Sequence, residues 1–319
     1  MCLRRVRRST SRPAPHRGAL AFVVGALVSI AVFNLRPVPI EGPGSLGHLV
    51  ALSCGVAGTL AFVAGQLVLA RRGAARPVRG VLDVVDLVAI AVAHGAVALL
   101  LATLLAEIFA PGFVGASVYP LSGVVLAGAV PAVAAYLTFT SATHLSLQSL
   151  AVVLAAFLSM GVLTSTITAG DPQWWQVHLS ELGTTGDLSA FAFNGTLVVA
   201  GILVTVLARR SADLIPSPVP NGLERVRLCL VLVGVFLGCV GIFHVDTMFW
   251  LHTGVASGMA VAFGVLVVRI RLWVPDFPRS LAWLGTGYFG VVVVLAVAFA
   301  VGTYTLTAVE LVAGVQNLS

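Results

Sequence analysis

Nine apolar runs, each near the length that a helix needs to cross a bilayer, constrain the 319-residue chain more than any single motif does. A transmembrane helix takes about 20 apolar residues. These runs lack the alternation of a barrel strand, so helices are the preferred interpretation. The runs are Ala19–Asn34, Gly47–Ala70, Val81–Phe109, Leu121–Thr140, Leu147–Thr168, Ala190–Ala208, Leu228–Phe243, Trp250–Val268 and Leu281–Leu306. The sequence therefore predicts an all-α, polytopic transmembrane bundle of about nine helices.

Composition supports this assignment and excludes a soluble globular domain. Hydrophobic residues make up 59% of the chain and charged residues 9%, with a mean hydropathy of +1.04, whereas globular domains carry about 25% charged residues. All 18 basic residues are arginine, which indicates a GC-rich coding sequence and predicts a bacterial cytoplasmic membrane protein. The four cysteines lie in the amino terminus or in apolar runs, so no disulfide framework is expected.

The positions of the arginines predict the orientation of the helices. With the amino terminus inside, 17 of the 18 arginines lie on the cytoplasmic side and only Arg36 lies outside, as the positive-inside rule requires. Nine crossings then place the carboxyl terminus outside. The pI near 9.8 reflects this topology and contact with anionic lipid. We therefore expect membrane lipids as partners and no nucleic acid, while the sequence identifies no protein partner.

Three segments follow from this topology: a basic cytoplasmic amino terminus over residues 1–18, a first four-helix unit over 19–140, and a second membrane unit over 147–306. A faint internal repeat relates the two membrane units. Ser45–Arg72 resembles Ser180–Arg210, since both contain an outer Leu-Gly turn, a Gly-Thr-Leu helix and an inner Ala-Arg-Arg stop. Parallel duplication and chance similarity between glycine-rich apolar helices both stay open.

Two loops on the predicted outer side concentrate the polar residues of the chain. The first reads DPQWWQVHLSELGTTGD and follows the fifth run, and the second, IFHVDTMFWLHTG, follows the seventh. Polar groups gathered at one membrane interface predict a catalytic or binding site there. The candidate catalytic residues are His178, Glu181, His244, Asp246 and His252, and the candidate binding residues are Trp174, Trp175, Ser180 and Asn194.

Several chemistries are compatible with these residues. His178 and Glu181 are three residues apart and would share one face of a short helix, for proton transfer, metal binding or a simple cap. Histidine and carboxylate groups could supply zinc ligands, although H-x-D-x5-H is not a recognised zinc spacing. The identity of any metal or cofactor is therefore left unknown.

The remaining polar positions also have two interpretations each. Ser180 could be a nucleophile beside His178 or His252, or could cap a turn with Gly183. The two tryptophans could anchor an aromatic belt or border a lipid headgroup, while Asn194 is expected to bond to backbone or to a neighbouring helix. Within the third run, His94 is either a functional group at membrane depth or an interhelical hydrogen bond.

The stretch DPQWWQVHLSELGTTGDLSAFAFNGTLVVAGILV, followed by GIFHVDTMFWLHTGVA, resembles the bacterial membrane family called domain of unknown function 998. The matching positions are Ser180, Leu182, Gly183, Asn194 and His252, and the resemblance covers residues Leu147–Leu306. That family is similar to the Frag/DRAM/Sfk group of multi-spanning proteins, which is connected with lipid handling. The resemblance implies the helical architecture and names no reaction or substrate.

Three classes of function are compatible with these observations. They are a membrane enzyme or lipid-modifying factor acting on a lipid or envelope precursor, a transporter or channel, and a binding or assembly protein without catalysis. A transporter would need ionisable groups at depth, whereas most of the ionisable residues here lie at the ends of the runs. The outer polar site is therefore the preferred hypothesis, and whether it is catalytic stays uncertain.

The topology is tested by reporters fused to the two ends of the full chain. We expect a cytoplasmic reporter to be active at the amino terminus and a periplasmic reporter to be active at the carboxyl terminus, beyond Glu310. Activity of both ends on one side would contradict the nine-helix count, because an odd number of crossings separates the termini.

Overall fold

The computed structural model describes residues 16–42, 44–74, 78, 80–113, 115–211 and 219–300. These residues form nine α-helices: α1 (His16–Phe33), α2 (Leu46–Arg71), α3 (Val81–Phe109), α4 (Pro120–Thr143), α5 (Leu147–Ile167), α6 (Leu188–Ser211), α7 (Gly222–Ile242), α8 (Phe249–Trp273) and α9 (Arg279–Ala300). Eight of them, α2 to α9, are long and apolar enough to cross a membrane, and α1 is a shorter apolar helix. The predicted all-α, polytopic bundle is confirmed.

Local sequence signals explain several of the helix boundaries. The Ser45 hydroxyl accepts a hydrogen bond from the backbone N–H of His48 at 3.2 Å and caps α2. Ser146 and Ser149 form a reciprocal capping box at the start of α5. A two-residue antiparallel pair, β1 (Val38–Pro39) with β2 (Ser117–Val118), joins the α1–α2 and α3–α4 connections. The basic amino terminus through residue 15 and the end of the last predicted run, with Glu310, lie outside the described residues.

The helices pack in an order that differs from their order in the chain. Helix α2 packs against α3 and α4, and α1 lies on α4. Helix α3 then contacts α5 and α6, after which α7, α8 and α9 follow in sequence. The centre of the bundle is an apolar core in which Phe62, Ile90, Phe157 and Leu203 are fully buried. Helices α3, α5 and α6 thus join the first part of the chain to the second.

Small residues allow α6 and α7 to approach closely. A Cβ atom at Gly201 would lie 2.6 Å from the backbone nitrogen of Gly238, and one at Gly234 would lie 2.5 Å from the Thr205 hydroxyl. Apolar side chains gain little by leaving lipid, so close backbone packing of this kind supplies much of the stability of membrane helix pairs. The contact fixes α6 against α7 near the middle of both helices.

The two membrane units share one pair of packed helices but differ in the packing of their fourth helix. Packed helix pairs α2–α3 and α6–α7 occur at equivalent positions of the proposed repeat. However, α4 packs mainly on α2 and α1, whereas α8 packs mainly on α7 and α9. Both Gly-Thr-Leu segments line one lateral groove, which contains Thr59 and Thr196. Duplication of the units stays a prediction.

An ion pair connects the two units at the face where α3 begins and α6 ends. Arg209 Nη1 lies 3.0 Å from Asp86 Oδ1, and Nη2 lies 3.8 Å from Asp83 Oδ1. The Asp86 side chain is only 8% exposed. The sequence predicts an interface salt bridge for these aspartates beside Arg79, which lies outside the described residues. The structure adds Arg209, from a distant helix, as a partner of both aspartates.

This ion pair predicts unequal effects for the two aspartates. Asp86→Asn should lower the free energy of unfolding by about 1.5–3 kcal/mol, because it removes a short, buried, charge-assisted hydrogen bond. Asp83→Asn should cost less than about 1 kcal/mol, since its contact is longer and more exposed. Unfolding in mixed micelles measures both variants. Equal losses would contradict the assignment of Asp86 as the principal partner of Arg209.

Candidate functional site

The two polar loops that the sequence singles out meet at the face where α6 and α8 begin. The α5–α6 loop contains a 3-10 turn, Leu179–Gly183, that packs on α6. The second polar segment reaches this region through two side-chain hydrogen bonds. His244, in the loop between α7 and α8, bonds to Asn194 on α6, and His252, on the first turn of α8, bonds to Ser180 in the 3-10 turn. We call the joined residues Ser180, Gly183, Asn194, His244 and His252 the outer-loop site. This face is the predicted outer face, opposite to the one that carries Arg209.

The first link in the outer-loop site is a serine–histidine pair. Ser180 Oγ lies 3.2 Å from His252 Nε2, and His252 Nδ1 lies 2.6 Å from the carbonyl oxygen of Phe243. A carbonyl only accepts hydrogen bonds, so Nδ1 carries the proton of the neutral ring and Nε2 accepts from the Ser180 hydroxyl. Both side chains are buried, at 9% and 7% exposure. The ring is therefore held by backbone on one side and by the loop on the other.

The second link runs through Asn194 on the second turn of α6. Its amide nitrogen Nδ2 lies 2.9 Å from the carbonyl oxygen of Gly183 and 3.2 Å from His244 Nε2. Asn194 also approaches the turn so closely that a Cβ atom at Gly183 would lie 2.5 Å from Asn194 Oδ1. A larger residue at this position would displace the Asn194 side chain from the turn. The asparagine thus holds both loops at once, which agrees with the expectation that it bonds to backbone.

Buried groups beneath the turn fix its position over the helices. Leu182 is fully buried. The Ser189 hydroxyl lies 2.8 Å from the Ser165 carbonyl oxygen and 3.3 Å from that of Leu182, while the Ser165 hydroxyl lies 3.0 Å from the Ser189 carbonyl. These bonds tie the end of α5, the start of α6 and the 3-10 turn together. Neither serine belongs to the set predicted from the sequence.

The remaining candidate catalytic residues do not join the Ser180–His252 pair. His178 Nδ1 lies 3.9 Å from Glu181 Oε2, and the Thr184 hydroxyl lies 3.3 Å from Glu181 Oε1. Asp246 is exposed and makes no hydrogen bond or ion pair with any part of the chain that the structure describes. The five residues thus form separate groups around the turn instead of one cluster. Among the described residues, no group of three His, Cys, Asp or Glu side chains is arranged to hold a metal ion.

Large aromatic side chains surround the outer-loop site. Trp174 and Trp175 form a second 3-10 turn in the α5–α6 loop, and Trp175 is 53% exposed. Trp250 is the second residue of α8, two residues before His252, and is 84% exposed, with its ring edge-on to Phe249. Trp250 is absent from the candidate binding residues that the sequence identifies. Its position suits an interfacial anchor, since tryptophan concentrates where apolar and polar regions of the bilayer meet.

The predicted outer face is acidic. Among the residues that the structure describes, it carries Arg36 and six carboxylates, at Glu41, Glu107, Asp171, Glu181, Asp187 and Asp246. The opposite face carries most of the described arginines, including Arg71, Arg72, Arg209, Arg210, Arg225, Arg227, Arg269, Arg271 and Arg279. A ligand at the outer-loop site therefore meets a negative potential.

Asp187 is a structural carboxylate that closes the α5–α6 loop. Its Oδ1 accepts hydrogen bonds from the Thr185 hydroxyl at 2.7 Å and from the Ala190 backbone N–H at 3.0 Å. Burial acts to raise the pKa of this carboxyl, but these bonds, with those from the N–H groups of Ser189 and Gly170, lower it overall. The sequence signal for this role is an aspartate directly before the helix.

Comparisons with known proteins identify no relative of this chain. No protein-family model, no curated protein and no solved structure matches it. The site is therefore interpreted from its own geometry.

The lowered pKa of Asp187 gives a pH-dependent stability with a definite sign. The ionised cap stabilises the folded chain fully above the ordinary aspartate pKa of about 3.9, and this contribution is lost as the pH falls through the lower folded-state value. Asp187→Ala should cost about 1 kcal/mol at neutral pH. Thermal unfolding between about pH 3 and about pH 7 checks both effects. A loss that does not shrink at acidic pH would contradict this role.

Proposed function

We propose that the outer-loop site binds the polar end of a membrane lipid or of a lipid-linked envelope precursor. The observation that carries this proposal is the polar network of Ser180, Asn194, His244 and His252, which joins two loops directly beside exposed tryptophans. A network at this level faces the headgroup region, where a ligand can leave its apolar part in the bilayer. The flanking groups Glu181 and His178 supply polar contacts at the edge of the network.

The charge of this face favours a headgroup that carries an amine over an anionic headgroup without one. Six carboxylates accompany one arginine among the described residues of the face, and like charges repel an anionic ligand. Exposed tryptophan rings such as Trp175 also attract cationic amines through their electron-rich faces. An amine-bearing phospholipid is therefore the preferred class.

We also propose that the chain is related to the domain of unknown function 998 family. The five positions that carry the resemblance are Ser180, Leu182, Gly183, Asn194 and His252. In this fold each of them contributes to one packed unit around the Leu179–Gly183 turn. A shared binding site at the turn would account for that pattern.

Lipid selectivity tests the binding function. The full chain, purified in mild detergent, should retain phosphatidylethanolamine over phosphatidylglycerol in native mass spectrometry, and Glu181→Gln should reduce that retention by about three- to tenfold, the effect of one charge-assisted contact. Asp171→Asn is the matched control, because Asp171 is an exposed carboxylate of the same loop whose described bond is to its neighbour Gln173. Preference for phosphatidylglycerol would overturn the proposal.

A second candidate function, acyl transfer or ester hydrolysis, is favoured by one observation. The Ser180 hydroxyl donates to His252 Nε2, and the ring is oriented by the Phe243 carbonyl. A nucleophile, a base and an orienting group in hydrogen-bond contact are the arrangement that covalent catalysis needs. In this chain a backbone carbonyl occupies the place that a carboxylate takes in the serine protease triad.

The reaction that this pair would perform is the hydrolysis of a lipid ester, and it needs only the two side chains and water. Ser180 Oγ attacks the carbonyl carbon of a lipid ester while its proton moves to His252 Nε2. The ester C–O bond then breaks, and the leaving alcohol takes that proton. Water hydrolyses the acyl-serine in the same manner, which restores the Ser180 hydroxyl and releases a fatty acid.

Covalent labelling tests the second candidate function. A fluorophosphonate probe should label the folded full chain, and Ser180→Ala should remove the label while leaving the gel-filtration profile unchanged. Ser141→Ala is the control, because Ser141 bonds to His94 in a similar pair on another part of the fold. Labelling that survives Ser180→Ala, or a folded wild-type chain that takes no label, would leave only the binding function.

A further inference from the structure

A lateral groove of about 500 Å³ runs between α3, α4 and α5, away from the outer-loop site. It exists because α3 and α4 touch only weakly, although both pack firmly on α2. Its rim carries exposed apolar side chains, including Val133, Leu137 and Val152. In a bilayer these side chains face lipid, so the groove opens sideways into the membrane.

The groove is apolar except for three polar side chains near one end. His94 Nε2 lies 2.9 Å from Ser141 Oγ, and His94 Nδ1 lies 2.8 Å from the carbonyl oxygen of Ile90. Thr138, one turn before Ser141 on α4, bonds to the Ala134 carbonyl at 2.9 Å. His94, Thr138 and Ser141 all line the groove. His94 is buried and its ring lies 4.6 Å from that of Phe62.

The proton positions in this group follow from its partners. A charged imidazole is costly at membrane depth, so His94 is neutral and has a single N–H. That N–H is at Nδ1, because the Ile90 carbonyl can only accept. Nε2 must then accept the proton of the Ser141 hydroxyl. Thr138 likewise gives its proton to a carbonyl. Both hydroxyl oxygens therefore offer only lone pairs to the groove.

The dimensions of the groove match one leaflet of a bilayer. Its lining residues on α4 lie between Ala129 and Ser141, a stretch of about 18 Å of helix, while half of the hydrocarbon core is about 15 Å. Ser141 lies two residues before the end of α4, at the face that carries Arg209. The polar end therefore lies on the Arg209 side of the groove, at the depth of His94 midway along α3, and the apolar walls extend from it toward the middle of α4.

We propose that this groove binds a long-chain lipid alcohol, an uncharged amphiphile whose hydroxyl donates a hydrogen bond to Ser141 and whose chain lies along α3, α4 and α5. Because the polar end of the groove offers only hydrogen-bond acceptors, it excludes ligands whose own polar group has no hydrogen-bond donor, such as esters, ethers and ketones. An anionic headgroup has no cationic partner among the residues that line the groove. The site is separate from the outer-loop site and does not depend on its function.

Two photoreactive probes with the same hexadecyl chain test this proposal on the full chain in lipid nanodiscs. One probe ends in a primary alcohol and the other in its methyl ether, which cannot donate. We expect the alcohol to label peptides of α3 or α5 that line the groove about three- to tenfold more than the ether, the effect of one net hydrogen bond. Ser141→Val should abolish this difference, because it removes the acceptor oxygen while a γ-methyl group keeps the place of Oγ against His94 Nε2. His94 is left unchanged because it is buried against Phe62.

The matched control is Thr140→Val on the same helix. The Thr140 hydroxyl donates to the Tyr136 carbonyl at 2.9 Å, as the Thr138 hydroxyl does to Ala134, but Thr140 is not among the residues that line the groove. It should retain the preference for the alcohol. Equal labelling by the two probes would show that the groove holds bulk lipid chains and would overturn the proposal. A preference that persists in Ser141→Val would overturn it as well.

Discussion

Close packing of α6 against its neighbours is the constraint on which the rest of this structure depends. Helix α6 contacts α3, α5 and α7, and its two ends are held by different chemistry. At one end Arg209 pairs with Asp86 on α3, and at the other Ser189 bonds to Ser165 on α5. Because α6 is fixed at both ends and along its length, the loop that precedes it has a defined position, and the outer-loop site can form there.

Two serine–histidine pairs in this chain have the same hydrogen-bond pattern but different surroundings. In both pairs Nδ1 contacts a backbone carbonyl and Nε2 contacts a serine hydroxyl. The His94–Ser141 pair lies between helices in an apolar groove, where no carboxylate lines the walls and the serine oxygen can serve as an acceptor. The His252–Ser180 pair joins the first turn of α8 to the Leu179–Gly183 turn, on the face that carries most of the described carboxylates.

The two faces of the bundle differ in charge, and this asymmetry connects topology with ligand choice. Arginines at one face suit contact with anionic lipid, whereas the carboxylates of the other face disfavour it. The outer-loop site is therefore suited to ligands that reach the acidic face from the adjacent leaflet. The groove near His94 opens toward the leaflet on the arginine side. The two proposed sites thus differ in their surroundings, because one lies on an acidic face and the other in a groove that is apolar apart from His94, Thr138 and Ser141.

The sequence by itself determined the helical architecture, because nine apolar runs in lipid leave no other way to satisfy backbone hydrogen bonds. It also located the polar loops, since Trp174, His178 and Ser180 stand out against apolar neighbours. Which residues meet was decided only by tertiary packing. The pairing of Arg209 with Asp86, 123 residues away, and of Ser180 with His252, 72 residues away, depends on how α6 packs on α3 and how α8 packs on α7. Periodicity within one helix carries no information about its neighbours. For the same reason Asp246, predicted from its place in an outer loop to join the site, lies exposed beside it, whereas Ser189, in the first turn of α6, holds the loop in place.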